Sequence, residues 1–174
     1  MSETIKYAVE GKVEGVELRR YPPVVLATVR GIADNDAFRI LFRYISGHNQ
    51  PVKKIPMTAP VISTAARIPM TAPVISAPDS FSFVMPPSYP DDDIPAPLDP
   101  RSTLERIPQR RVAALRFRGI ATQNAVAEKT RQLLDTLARH EIPTAGTSFL
   151  MRYNAPFTPG FMRRNEVGIE LPGY

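Results

Sequence analysis

The residue types that most often do chemistry in proteins are scarce in this chain. It has two histidines, His48 and His140, and no cysteine. This leaves little room for a metal site with three histidines, or with two histidines and a carboxylate. The sequence also lacks a Cys–His pair, a G-x-S-x-G elbow and a glycine-rich phosphate loop. We therefore predict a protein that is not an enzyme. A hydrolase using Glu166 or Glu170 is the weakest alternative.

The most informative residues lie on one side of a predicted first helix. Ile40 and Tyr44 are four residues apart, and His48 continues their line beyond the helix end, while Arg39 and Arg43 flank it. Such a half-apolar stripe could form a shallow groove for a flat, apolar molecule, and the arginines would pair with its carboxylates. An ordinary amphipathic helix with solvated arginines is the alternative.

A second segment could cover that groove. It reads "NAPFTPGFMRRNEV" and spans residues 154–167. Phe157, Phe161 and Met162 would supply contact area, and Arg163 with Arg164 would supply positive charge. The sequence thus predicts a ligand site made from both segments.

Two helices and several strands must position these residues. Apolar residues at helical spacing predict helices over about 34–46 and 123–141. Asp34 or Asn35 is expected to cap the first helix and Thr122 the second. The stripe expected to face the core from the first helix is Phe38, Leu41, Phe42 and Ile45. Alternation and β-branching predict strands over residues 16–21, 24–29, 80–85, 104–107, 112–117, 148–153 and 167–171.

The chain contains an internal resemblance over a distance of 88 residues. "VVLATVRGIA" at 24–33 is similar to "VAALRFRGIA" at 112–121, and a predicted helix follows each copy. We interpret residues 16–61 and 104–156 as duplicated ββαβ units related by a pseudo-two-fold axis. They predict one α+β domain over 1–174, a distorted β-barrel or antiparallel sheet flanked by two helices.

A shorter repeat, "IPMTAPVIS", occurs at 55–63 and again at 68–76. The prolines within each copy are four residues apart, so both missing N–H donors would lie on the same edge of a strand. At least one copy is therefore expected to be an edge strand or a bulged strand, with Met57 or Met70 facing the core. A tandem duplication without functional meaning is the alternative.

Composition narrows the class of protein. The 174 residues carry a formal net charge of +5, without the zinc-finger spacing or aromatic motif of a nucleic-acid-binding protein. No apolar run reaches the length of a membrane span, and the first residues do not read as a signal peptide. We expect a cytoplasmic monomer that binds no nucleic acid and does not insert into membranes.

Several segments together resemble the SOUL haem-binding protein family. They run in family order from about residue 17 to 171 and read "ELRRYPP", "AFRILFRYISGHN", "KIPMTAPV", "FVMPPSY", "VAALRFRG" and "RYNAPFTPGFMRRNEV". The resemblance implies a distorted barrel with two helices that binds haem or another protoporphyrin-type tetrapyrrole non-covalently, in a surface groove near the first helix. Such a protein would buffer or carry its ligand.

The resemblance also bears on the iron. Some members have a histidine directly before the tyrosine of the E-x-R-x-Y segment, where this chain has Arg20. That substitution leaves His48 as the candidate metal ligand. The fold is also related to sensor domains of transcription regulators. One alternative function is therefore an effector-binding module that holds hydrophobic cations through Glu166 or Glu170, and another is a protein-interaction module.

Overall fold

The computed structural model describes residues 3–50, 67–87, 89, 93–154 and 157–173. Within them the chain forms an α+β fold with two helices, α1 (Asp34–Ile45) and α2 (Gln123–Arg139). The predicted helices are therefore confirmed. The Thr122 hydroxyl accepts a hydrogen bond from the N–H of Ala125 at 3.1 Å, as expected of an N-cap. The expected cap of α1 is wrong, because its N-cap residue is Ala33 and makes no side-chain cap hydrogen bond.

Strands make up most of the remaining described chain. They are β1 (Glu3–Thr4), β2 (Ala8–Val13), β3 (Val16–Tyr21), β4 (Val24–Arg30), β5 (Asn49–Gln50), β6 (Thr71–Ala77), β7 (Ser80–Val84), β8 (Ala96–Pro97), β9 (Ser102–Ile107), β10 (Arg110–Arg118), β11 (Ala145–Arg152) and β12 (Arg164–Leu171). All seven predicted strands are present, and β2 was not predicted. Gly11 and Gly15 lie in or directly after β2, and this weakens its strand signal.

Ten of the described strands form one large sheet, which is open rather than closed into a barrel. Its order is β2-β3-β10-β12-β11-β6-β7-β4-β9, and β1 pairs in parallel with β6. Helix α1 packs on β4 and β7, whereas α2 packs on β12 and β10. Each helix therefore covers its own half of the sheet.

The two halves exchange strands. A two-residue link, Pro22-Pro23, joins β3 to β4, yet β3 pairs with β10 and β4 pairs with β9. The consecutive strands β9 and β10 are divided in the same way, so each consecutive pair contributes one strand to each half. The element order β-β-α-β thus occurs twice, as the duplication predicts. Superposition of the two units remains a prediction, and residues 51–66 of the first unit lie outside the described chain.

The second copy of the nine-residue repeat lies inside the sheet. Its strand β6 pairs with β7 on one side and with β11 and β1 on the other, and the register with β7 shifts between Thr71 and Val74. This copy is therefore a bulged strand, as expected, but not an edge strand. The sheet tolerates a proline here because Pro73 lies at the bulge, where the hydrogen-bond ladder between β6 and β7 is already interrupted. Met70 packs against the core under α1, also as expected. The first copy lies outside the described residues.

Three groups of buried side chains hold the fold together. Val25, Ala27 and Val29 of β4 pack under α1, while Ala113 and Leu115 of β10 pack under α2. Because neighbouring residues of a strand point to opposite faces, Leu26 and Val112 lie on the other face of the sheet, in a third group. The helices therefore cover one face, and the two halves also share a core on the opposite face.

Candidate functional site

A cavity of about 700 Å³ lies where β4 begins and β7 ends. Two proline pairs help to form it: Pro22-Pro23 precedes β4 and Pro86-Pro87 follows β7. The other residues that line it are Thr4, Ile5, Lys6, Val24, Val25, Met85, Tyr89 and Ile94. A volume of this size and an apolar lining are typical of sites for small organic ligands. Lys6 is exposed and is the only formally charged residue among the described residues that line the cavity.

Ile40 and Tyr44 lie in the core under α1 rather than on its surface. They are 6% and 1% exposed, respectively. The Tyr44 hydroxyl donates a hydrogen bond to the carbonyl oxygen of Pro95 at 2.6 Å and lies 4.0 Å from the sulfur of Met85. Burial raises the pKa of this phenol above its ordinary value. The prediction of an exposed Ile40/Tyr44 stripe is therefore wrong.

The buried face of α1 is rotated from the predicted one. Phe42 was expected in the core but is 49% exposed, and its ring stacks on that of half-buried Phe38. Met85 and Ile94, which line the cavity, also belong to the core that contains Tyr44. Tyr44 thus lies behind the wall of the cavity, where it supports Met85.

The charged residues predicted on α1 are exposed, but acidic residues are close to them. Arg39 lies 4.0 Å from Asp36. Hydrogen bonds from Arg101 lower the pKa of the Asp99 carboxyl to about 2, and the charge of Arg43 contributes in the same direction. Any anion bound here by Arg39 and Arg43 would have to compete with these two carboxylates.

His48 follows the end of α1. Its backbone N–H donates to the carbonyl oxygen of Arg43 at 2.9 Å, and the residue is exposed. Among the described residues, no three His, Asp or Glu side chains are grouped so that they could hold a metal ion. Iron ligation by His48 therefore stays a prediction that rests on this single side chain.

The predicted lid lies beside the residues that precede α2. The N–H of Gly119 donates to the carbonyl oxygen of Arg163 at 3.1 Å, and the side-chain amide of Asn165 donates to the carbonyl oxygen of Gly119 at 2.7 Å. Phe157 and Phe161 are 89% and 78% exposed. These hydrogen bonds connect the segment to the second half of the fold, whereas the cavity lies in the first half.

A buried ion pair lies on the sheet face opposite α2, and the sequence did not predict it. The guanidinium of Arg19 donates to both carboxylate oxygens of Glu166, at 2.7 and 2.6 Å, and the two side chains are 1% and 0% exposed. Arg19 also donates to Glu17 and to the Tyr21 hydroxyl, and its guanidinium carbon lies 4.0 Å from the centre of the Tyr7 ring. All three guanidinium nitrogens therefore have an acceptor.

Glu166 is held by further donors. It accepts hydrogen bonds from the Tyr153 hydroxyl and from Arg164, the latter at 3.1 Å. Burial alone would raise the pKa of this carboxyl, but the hydrogen bonds and charge of Arg19 outweigh it and lower the pKa to about 2. Glu166 is thus ionised and already paired with a cation of its own chain. This arrangement disfavours the alternative in which Glu166 binds an organic cation.

The sequence did contain a signal for this cluster. Glu17, Arg19 and Tyr21 alternate along β3, so all three side chains point to one face of the sheet. Three polar residues with a period of two indicate a polar face, although they do not identify the partner strand. That partner is β12, which carries Glu166 some 147 positions further along the chain.

Comparison with known families identifies the group to which this fold belongs. The family model described as "SOUL heme-binding protein" matches residues 2–170. The chain belongs to the SOUL haem-binding protein family. The resemblance found in its motifs is thereby confirmed across almost the whole sequence. A search of curated proteins found no match.

Solved structures of low sequence identity share this fold. The C-terminal domain of EcmrR is 9% identical with a TM-score of 0.58, and the match covers 97% of this SOUL chain and 99% of that domain. A hydrolase from Listeria innocua is 10% identical with a TM-score of 0.56, and 94% of each chain is covered. At these identities the similarity concerns the fold alone.

Proposed function

We propose that this SOUL-family protein binds haem or a related tetrapyrrole non-covalently, as a carrier or buffer in the cytoplasm rather than as an enzyme. The family match supports the class of ligand. The observation that carries the placement is the cavity of about 700 Å³ with its apolar lining. A flat macrocycle would cover Pro23, Val24 and Tyr89, which are exposed or half-buried at the cavity, and its carboxylates would extend to the rim.

Lys6 is the residue of the cavity rim that suits such a carboxylate. Its side chain is exposed and lines the cavity, so an anion bound there can approach it. An ammonium group acts as a point charge on a flexible stem, so it can follow a propionate that is itself flexible. This contact would supply orientation, while the apolar wall supplies most of the contact area.

The outer side of α1 is the rival placement. It would use Arg39 and Arg43 for the carboxylates and His48 for the iron, but Ile40 and Tyr44 are buried there and leave little apolar surface. Phe157, Phe161 and Arg163 would contribute only if their loop reached the ligand. We therefore favour the cavity, and matched charge reversals distinguish the two placements.

The test is an absorbance titration of the protein with haem and with iron-free protoporphyrin. Lys6→Glu should weaken both by about tenfold, equivalent to ~1.4 kcal/mol, because it replaces an attractive charge with a repulsive one. Lys12→Glu is the matched control: this lysine is also exposed but lies on β2 in the other half, and its reversal should change affinity little.

Three outcomes would count against the placement or the ligand. If Arg43→Glu weakens binding while Lys6→Glu does not, the ligand lies along α1. If His48→Ala abolishes haem binding and leaves protoporphyrin binding intact, iron ligation dominates. If the unmodified protein binds neither compound, the proposed function is wrong.

A further inference from the structure

Four large apolar side chains are exposed together where α2 begins. Phe157, Phe161, Met162 and Ile120 are 89%, 78%, 57% and 62% exposed, respectively. A Cβ on Gly160 would meet Cγ1 of Ile120 at 2.8 Å, so the short 3-10 turn Gly160–Met162 lies directly against Ile120. We call these four side chains the apolar tip. Soluble proteins rarely expose such groups of apolar residues without a partner.

The loop that carries the tip is held by its own hydrogen bonds. The Arg163 Nε donates to the carbonyl oxygen of Thr158 at 2.9 Å, and the N–H of Met162 donates to that of Pro159, also at 2.9 Å. These bonds connect residues 158–163, which include Phe161, and Phe157 directly precedes them. An exposure of 89% means that Phe157 makes few contacts with the described residues.

Arginines lie close to the tip in the sequence and in the fold. Arg118 ends β10 two residues before Ile120, and Arg163 and Arg164 directly follow the 3-10 turn. No Asp or Glu occurs between Glu105 and Glu128 or between Glu141 and Glu166, the two sequence stretches from which the tip is built.

Two of these arginines lie directly opposite each other beside the tip. Arg118 pairs in register with Arg164 across β10 and β12, two residues before Ile120. The nearest acidic residue on β12, Glu166, is completely buried and bound to Arg19. Arg164 already donates to Glu166, so exposed Arg118 is the arginine of this pair that an anionic partner would meet.

We propose that the apolar tip docks on an anionic lipid surface. The aromatic and apolar side chains would enter the interfacial layer, and Arg118 and Arg163 would lie among the headgroups. Phenylalanine and aliphatic side chains can enter the boundary between headgroups and acyl chains, and nearby arginines add attraction to anionic lipids. The combination of exposed apolar side chains with neighbouring arginines favours an anionic lipid surface. No helix among the described residues could cross a membrane, and the proposal requires none.

The test is flotation of the ligand-free protein with vesicles of phosphatidylcholine alone or mixed with phosphatidylserine. We expect flotation with the mixed vesicles, less with neutral ones, and a decrease as salt screens the charges. The double variant Phe157→Ser/Phe161→Ser should reduce partitioning by about tenfold or more, because two apolar anchors are lost. Arg118→Glu should also reduce it by about tenfold through charge reversal.

Matched controls use exposed residues away from the tip. Leu98→Ser replaces an apolar side chain that is 50% exposed, and Arg131→Glu reverses an exposed charge on α2; both should float like the unmodified protein. The proposal is overturned if the unmodified protein ignores mixed vesicles, or if the tip variants and the controls lose binding equally. It is also overturned if the tip variants lose only self-association or binding to single-stranded nucleic acid. Because the assay contains no tetrapyrrole, its failure would leave the proposed function untouched.

Discussion

The buried pair of Arg19 and Glu166 should dominate the stability of the second half of the fold. Glu166→Gln keeps the shape of the side chain but removes its charge. Arg19 would then remain buried at 1% exposure with only Glu17 as an ionised partner. Breaking a buried pair by removing one partner typically costs ~3–5 kcal/mol, because it leaves a buried charge uncompensated.

The lowered pKa of Glu166 gives a second value for the free energy of the same interaction. Burial would raise the pKa, but Arg19 lowers it from 4.5 to about 2. At about 1.4 kcal/mol per pKa unit, this corresponds to roughly 3 kcal/mol. Because the pKa is lower in the folded protein, this stabilisation is complete above pH 4.5 and is lost as the pH falls towards 2. The difference in stability between the protein and Glu166→Gln should therefore shrink over that interval.

Urea unfolding followed by far-ultraviolet circular dichroism measures both effects, since the chain has no tryptophan. The control is Glu105→Gln, because Glu105 pairs with Arg30 at the same distance of 2.6 Å but on the surface. That change should cost no more than about 1 kcal/mol. Equal losses in the two variants, or a Glu166→Gln difference that does not change below pH 4.5, would refute the reasoning from burial.

Two further changes probe the same half of the fold. Gly168→Ala should destabilise it by ~1–3 kcal/mol in thermal unfolding, because a Cβ there would meet Cε2 of Phe149 at 2.9 Å. Gly11→Ala is the control and should cost less, because the nearest atom to its Cβ would be 3.7 Å away. A larger loss of stability in Gly11→Ala than in Gly168→Ala would contradict this account. Thr122→Ala should lower the free energy of unfolding by about 1 kcal/mol, because the N-cap hydrogen bond of α2 is lost. Thr122→Ser keeps the hydroxyl and should retain most of that stability. Equal losses from the two variants would show that the cap hydrogen bond is not the cause.

The sequence predicted the regular elements well because their signals are local. The second helix was predicted to start at residue 123 after an N-cap at Thr122. The observed α2 starts at Gln123 and has this N-cap. The strands at 16–21 and 24–30 follow from alternation and β-branching. Helix content, strand order along the chain and the α+β class could therefore be obtained without a structure.

The orientation of α1 could not be predicted, because apolar residues occupy more than one side of it. Phe42 and Tyr44 compete for the core, and hydrophobicity favours Phe42. The structure buries Tyr44 because its hydroxyl finds the carbonyl oxygen of Pro95, a partner 51 residues away. The ion pair of Arg19 and Glu166 was missed for the same reason: its stability depends on pairing between distant strands.

The exchange of strands between the two halves determines the order in which the protein can be completed during synthesis. The pairs of β3 with β10 and of β4 with β9 join residues more than 70 positions apart. When the first half leaves the ribosome, β3 has no β10 and β4 has no β9, so both retain unpaired edges. Long-range pairing of this kind slows folding and prolongs the exposure of such edges. Strands β3 and β4 must therefore wait for residues 102–118 before their pairing is complete, and the nascent chain exposes both edges during that interval.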